Sequence, residues 1–316
     1  MVKKTSFYYP SSDGVHQIHA ACWTPEGEAK AVVQLVHGIS EYVERYDRFA
    51  TFLAERGFLV CGEDHLGHGK TGAADGVFGW FAETDGWNKV LADTHHLTEI
   101  QKQANPGVPY FLFGHSMGSF LTRNYLIRWP GEVDGAILSG TGQEPAVAIS
   151  FGKQVSGLMK KAGKGKTVSP LINALSIGAY NRKFAPNRTS VDWISRDTDV
   201  QDAYLADPFC SFLPTVGMFR DMMEGLSVIG DPARLAGMDK DTPVFFLSGD
   251  EDPVGQMGKG VEKVYAMFKK AGCRDVTLKL YRGGRHEMLN EINYEQVQKD
   301  ALDWLQAHLP EKKEEA

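Results

Sequence analysis

A serine held between two glycines, Gly114-His115-Ser116-Met117-Gly118, sits where a strand pattern gives way to a helix pattern. Before it, Pro109-Tyr110-Phe111-Leu112-Phe113 is an apolar run that reads as a buried strand; after it, 119–127 reads as a helix. Such a turn forces its central residue into a strained backbone, and only small neighbours let the chain double back so tightly. The serine hydroxyl then stands at the C-terminal edge of a sheet. The first amides of the helix point toward an oxygen that becomes negative in acyl transfer. The five-residue pattern alone says little, since 34 glycines in 316 residues give about 0.2 chance matches. The flanking strand and helix favour the nucleophile over a plain loop pair of glycines.

Strand and helix signals alternate on either side of the turn. Segments 7–9 and 15–23 flank Ser11-Ser12-Asp13-Gly14, a hairpin signal. Ala31-Val32-Val33-Gln34-Leu35-Val36 is suited to a strand covered on both faces. A helix over 46–56 ends at Gly57; a strand over 58–62, a helix over 87–103 and a strand over 135–139 follow. Alternation stops near Gly140 and resumes with strands at 243–247 and 276–280 and a last helix at 294–308. This order predicts an α/β fold with a mostly parallel central sheet flanked by helices. The helix-rich stretch 142–230 is expected to be an inserted cap over the sheet's C-terminal edge, with 1–141 and 231–316 forming the core. The tail, Glu311 to Glu315, is expected to fray.

A net charge of −6 argues against a nucleic-acid footprint. Cys22, Cys61, Cys210 and Cys273 are scattered without C-x-x-C spacing, which suits reduced, buried thiols in a cytoplasmic protein. The N-terminus has no apolar core of a signal peptide, and no run of about 18 apolar residues occurs.

A serine hydroxyl needs a base, and the base needs an acid to fix its tautomer. On a strand-to-helix nucleophile turn, acid and base follow in the order Asp or Glu, then His. Strand 243–247 runs into Ser248-Gly249-Asp250-Glu251-Asp252-Pro253. Asp252, stiffened by the proline, is the expected acid, with Asp250 in reserve as a turn former. Strand 276–280 runs into Gly283-Gly284-Arg285-His286, and His286 is the expected base. Two backbone donors would complete an oxyanion hole: the N–H of Met117 and, from the loop after strand 31–36, the N–H of Ile39.

His37-Gly38-Ile39-Ser40-Glu41-Tyr42-Val43-Glu44-Arg45-Tyr46 resembles the H-G-x-x-E-H-x-x-R-Y signature of monoacylglycerol lipases and bacterial lysophospholipases, a serine aminopeptidase S33-type family. Asp64-His65-Leu66-Gly67-His68-Gly69-Lys70-Thr71 is similar to their D-H-x-G-H-G-x-S, and 114–118 to their G-H-S-M-G. The matches span 37–290, nearly the whole chain. The resemblance implies an α/β-hydrolase in which Ser116 attacks, His286 shuttles the proton and Asp252 orients His286. It also implies that Glu41 and Arg45 either hold the substrate's polar head or buttress the oxyanion loop. Tyr42 departs from the usual histidine and Thr71 from serine; the first bears on the glycerol preference.

The expected activity is hydrolysis of single-chain lipid esters, monoacylglycerol or lysophospholipid, without cofactor or metal. A carboxylesterase or thioesterase of soluble esters, a peptidase, and a non-catalytic binding module are the alternatives; the oligomeric state is open. Asp64, His65 and His68, or His95 and His96, lack the partner spacing of a zinc enzyme. Phe151, Val155, Leu158 and Met159 recur at helical spacing before Lys160, Lys161, Lys164 and Lys166. Either this helix makes a transient membrane-surface contact through its basic end, or it faces the core with lysines suited to its dipole; the core-facing reading is preferred.

Overall fold

A computed structural model describes residues 1–310; the expected frayed tail lies outside the described residues. Eight strands form one sheet: β1 (Lys3–Pro10), β2 (Gln17–Thr24), β3 (Ala31–Val36), β4 (Phe58–Glu63), β5 (Tyr110–His115), β6 (Gly135–Ser139), β7 (Val244–Gly249) and β8 (Val276–Tyr281). Their spatial order is β1-β2-β4-β3-β5-β6-β7-β8. The hairpin β1/β2 and the β2/β4 pair are antiparallel, and every pairing from β4 to β8 is parallel.

Period-two alternation sorts the strand side chains onto two cores. Val33, Leu35, Phe111, Phe113, Phe245 and Leu247 lie on one face, beneath α1 (Asp47–Ala54) and the C-terminal helix Tyr294–Ala307. Val32, Val36, Tyr110, Leu112, Val244 and Phe246 lie on the other. That face is covered after α2 (Gly69–Asp75) by α3 (Gly86–Ala104) and α4 (Met117–Arg128). The strands are buried on both sides, which is why β3, β5 and β7 read as continuous apolar runs.

Between β6 and β7 the chain forms α5 (Ala146–Met159), α6 (Pro170–Leu175), α7 (Ile177–Tyr180), α8 (Thr198–Ala206), α9 (Val216–Ile229) and α10 (Pro232–Ala236). Three helices were not anticipated from the sequence: α2, α10, which lies just past the expected insertion, and α11 (Lys259–Ala271), which buries Val261, Val264 and Phe268 against the sheet before α12 (Tyr294–Ala307). All four cysteines are buried and unbonded.

The preferred core-facing reading of α5 is corrected. Phe151 is 62% and Leu158 69% exposed, as is Val147 at 82%. The face that packs is Ile149, Gly152 and Ser156; a Cβ at Gly152 would already touch Met223 of α9 at 3.2 Å. Small residues let α5 and α9 approach closely; Val147, Phe151 and Leu158 are turned outward, while Val155 and Met159 are half-buried.

Candidate active site

The C-terminal ends of β3, β5, β7 and β8 converge, the position where α/β sheets place their ligand sites. At the end of β5, Ser116 adopts φ 52°, ψ −120°, a strained conformation for a residue with a side chain. It is held there from both sides. Its N–H donates to Ser139 O at 2.9 Å, and its carbonyl accepts from the Ser119 N–H at 2.9 Å and hydroxyl at 2.6 Å. The flanking glycines are sterically required. A Cβ on Gly114 would strike the Thr122 hydroxyl and Gly118 O, and one on Gly118 would lie inside Val36 O.

Asp252 and His286 come from the turns after β7 and β8. His286 Nδ1 and Asp252 Oδ2 are 2.9 Å apart, with both side chains buried. A carboxylate only accepts, so this contact puts the ring proton on Nδ1 and leaves Nε2 as the basic nitrogen. Burial pushes the His286 pKa down, but the Asp252 carboxylate outweighs it and the net shift is upward. Asp252 is fixed in turn by the Val254 N–H at 2.9 Å and the Ser248 hydroxyl at 3.3 Å. Asp250, the reserve acid, accepts the Gly283 N–H at 2.7 Å and so ties the acid turn to the histidine loop.

Ser116 and His286 line one cavity, with no hydrogen bond between them among the described residues. Such a gap is common before substrate tightens the relay. Ile39 and Met117 flank Ser116 in an adjoining cavity. Among the described residues, neither backbone N–H donates to a protein acceptor. Met117 is the first residue of α4, where an N–H has no partner within the helix.

Glu41 and Arg45 sit behind the loop after β3 that carries Ile39. Glu41 Oε1 accepts the Gly38 N–H at 2.6 Å and the Tyr46 hydroxyl at 2.9 Å, and Oε2 accepts Arg45 at 3.0 Å. Arg45 also makes a bidentate pair with Glu287, both bonds 2.9 Å. Burial and the Glu287 charge raise the Glu41 pKa. At Glu287 burial also acts upward, but the paired Arg45 outweighs it and holds the carboxyl at about 2. Glu287 was not singled out in the sequence, although it directly follows the expected base.

The remaining histidines serve the scaffold. Asp64 ties together His19 Nδ1 at 2.8 Å, the Val43 N–H at 2.9 Å and the Lys70 N–H at 2.8 Å. His37 lies against His65 with ring centroids 4.0 Å apart and planes tilted by 32°, and His95 stacks on Trp129 at the same separation. Burial pushes His68 and His115 down to about 3, so both are neutral. Tyr42 donates to Asp207 at 2.8 Å, tying the loop after β3 to the end of α8; Thr71 accepts the His19 N–H at 2.9 Å.

Two cavities meet at Ser116 and share Ile39, Ile177 and Trp193. One, about 210 Å³, is walled by Phe120, Tyr180, Phe219, Met222, Met223 and Leu226. The other, about 440 Å³, has a mixed wall: Val191, Phe212 and Leu213 beside the polar Asn173, Asn181 and Thr189, with Glu41 and Glu287 at its edge.

Comparison with known proteins agrees with this architecture. Residues 27–293 match the family described as serine aminopeptidase, S33. The monoacylglycerol lipase of Mycolicibacterium smegmatis is 31% identical, covering 91% of this chain and 92% of that protein. The human monoglyceride lipase is 28% identical, over 85% of this chain and 80% of its own. Among solved structures, a thermostable carboxyl esterase from Bacillus coagulans in complex with glycerol superposes with a TM-score of 0.91 at 29% identity, covering 98% of this chain and 100% of that one. The chain belongs to the serine aminopeptidase S33 family of α/β-hydrolases, in its monoacylglycerol lipase-like branch, and is a carboxylic-ester hydrolase.

Proposed function

We propose that this chain is a serine hydrolase of single-chain lipid esters working through an acyl-enzyme on Ser116. The observation that carries the reading is the meeting at that hydroxyl of an apolar cavity and a larger one whose walls add polar groups such as Glu41, Asn173, Asn181 and Thr189 to apolar ones, which suits an ester with one chain and one polar alcohol. Ser116 Oγ bonds to the ester carbon while its proton passes to His286 Nε2. The Ile39 and Met117 amides stabilise the resulting oxyanion. As the intermediate collapses, the C–O bond to the alcohol breaks and His286 returns the proton to the leaving oxygen. Water repeats the cycle on the acyl-enzyme, releasing the fatty acid and free Ser116.

In this reading residues 142–230 are a cap over the core formed by 1–141 and 231–310, and the apolar cavity takes the acyl chain. Arg45 is committed to Glu41 and Glu287, which supports Glu41 and Arg45 as buttresses of the oxyanion loop over direct head-group ligands. Glycerol in the Bacillus coagulans esterase and the names of the lipase relatives favour a glycerol ester. The outward apolar stripe of α5, followed by exposed Lys161 and Lys164, supports transient contact with a lipid surface.

The test is a hydrolysis panel of monoacylglycerols, lysophosphatidylcholines and short soluble esters, with Ser116→Ala as the blank. Single-chain lipids should be preferred, and the variant should lose on the order of 10⁶ in kcat. Preference for butyrate esters over long chains, or parent-rate turnover by the variant, would overturn the reading.

A further inference from the structure

The histidine loop is also gripped by one stretch of the cap, residues 191–196. The His286 N–H points to Trp193 O at 3.4 Å, and the Glu287 N–H donates to Ile194 O at 2.7 Å. The Arg285 guanidinium, one residue before the base, donates to Asp192 O and, at 3.2 Å, to Ser195 O. The Trp193 indole lies over the His286 ring, centroids 5.0 Å apart and planes 36° apart.

A fully buried carboxylate joins the two segments. Glu291 Oε1 accepts the Arg285 N–H at 2.9 Å and the Arg196 N–H at 3.1 Å. Its Oε2 accepts Arg196 Nε at 2.9 Å and the Ile292 N–H at 3.0 Å. A buried carboxylate with four donors is held rigidly, and removing its charge leaves those donors without a full set of acceptors. On the core side the loop is tied at its glycines, the Gly283 N–H to Asp250 at 2.7 Å and Gly284 O to the Glu251 N–H at 2.9 Å. At 285–287 the core holds side chains, Asp252 on the His286 ring and Arg45 on Glu287, whereas the backbone N–H groups are held by Glu291 and by Trp193 and Ile194 of the cap.

We propose that Glu291 and Arg285 are positioning residues that make the placement of His286 conditional on docking of cap segment 191–196. The cap then does two things: it walls the cavities, and it completes the proton relay, so that an undocked cap leaves Ser116 without an aligned base. This inference rests on the reading of His286 as that base. Neither residue touches substrate; both act through the histidine loop.

The experiment compares Glu291→Gln, Arg285→Met and Arg285→Lys with the parent enzyme on p-nitrophenyl butyrate, a substrate too short to depend on the acyl cavity. Active sites are counted by burst titration with a fluorophosphonate, so that misfolded protein drops out of kcat. Glu291→Gln and Arg285→Met should lower kcat per active site about tenfold or more with KM within about twofold. The acid limb of the kcat/KM profile should move to lower pH. His286 is raised by Asp252, and a loosened ring loses that contact and returns toward an ordinary histidine. Arg285→Lys, which keeps a cationic donor, should recover most of kcat. Parent values of kcat per site and an unmoved acid limb in both disruptive variants would overturn the inference. So would a loss of titratable sites with kcat per site unchanged, which marks a purely structural role. A parent enzyme that fails to react with the fluorophosphonate would instead overturn the serine mechanism.

Discussion

The elbow that carries Ser116 and the helix α5, which opens the segment between β6 and β7, are both built around small residues, to opposite ends. At the elbow, Gly114 and Gly118 bring backbone against backbone inside the sheet, with Val36 O where a Gly118 side chain would stand. The outcome is a single strained geometry with the Met117 amide left unpaired. In α5, Gly152 and Ser156 let the helix lie close on α9, and the outcome is that Val147, Phe151 and Leu158 face solvent. Close packing in the core fixes chemistry to within fractions of an ångström. In the cap it frees a large apolar surface for another use. Changes at the first region should cost orders of magnitude in turnover, and changes at the second should be felt only at a lipid interface.

Gly118→Ala should produce the largest effect. The added methyl cannot coexist with Val36 O, so either the elbow or the oxyanion loop must shift. A displaced oxyanion donor costs about 10²–10³ in turnover, and overpacking of this kind destabilises by about 1–3 kcal/mol. Esterase rates per titrated active site together with a urea melt would measure both. A fully active, fully stable Gly118→Ala enzyme would break the contrast at its core end.

Glu41→Gln tests the same wall one layer further back. The Glu41 carboxylate holds the Gly38 N–H, the Tyr46 hydroxyl and Arg45 at once. A neutral amide still accepts one of these but no longer balances Arg45, and the loop bearing Ile39 should loosen. The expected loss is about tenfold to hundredfold in kcat, since a misplacement of about an ångström suffices for that much. The pattern of loss is informative. A fall in kcat with KM unchanged marks a buttress, whereas a rise in KM confined to glycerol esters would mark a head-group ligand.

The same contrast explains what was legible in the sequence. Ser116, Asp252 and His286 stand directly after strands β5, β7 and β8, and each strand is an apolar run of the length that buried strands have. Order along the chain therefore carried them into one neighbourhood. The Met117 and Ile39 amides, read as donors, lie on the turns after β5 and β3. Contacts between cap and core had no such carrier. Tyr42 meets Asp207 across 165 residues, and Arg196 meets Glu291 across 95. Nothing in the local pattern at either end announces its partner. Helix α11 was readable from Val261, Val264 and Phe268, which recur at helical spacing, and was passed over beside the stronger strand signals. For α5 the spacing of Phe151, Val155, Leu158 and Met159 correctly marked a helix. Periodicity defines a face without saying what lies opposite it, and there the packing of Gly152 on Met223 decided.

The smallest expected effect lies at the basic end of α5, and it separates four lysines that look alike in sequence. Lys160 and Lys166 are spent on the Trp80 ring, with their ammonium groups 5.2 and 5.5 Å from its centroid. Lys161 and Lys164 are exposed and have no ion-pair partner among the described residues. A lysine near an anionic bilayer contributes about 1 kcal/mol at most, less once salt screens it. Replacing Lys161 and Lys164 by glutamine should therefore weaken binding to phosphatidylserine-containing vesicles about threefold to tenfold. Hydrolysis of a soluble butyrate ester should be unchanged, because neither residue lines a cavity at Ser116. Replacing Lys160 and Lys166 instead should alter vesicle binding less and lower the melting temperature more, since a packed cation–π contact is lost. Co-sedimentation at two salt concentrations reads the first effect, and thermal denaturation reads the second. Equal losses of vesicle binding from both pairs would show that net charge alone governs adsorption. Unchanged binding in both would place the lipid contact on Phe151 and Leu158, where Phe151→Ser then becomes the deciding variant.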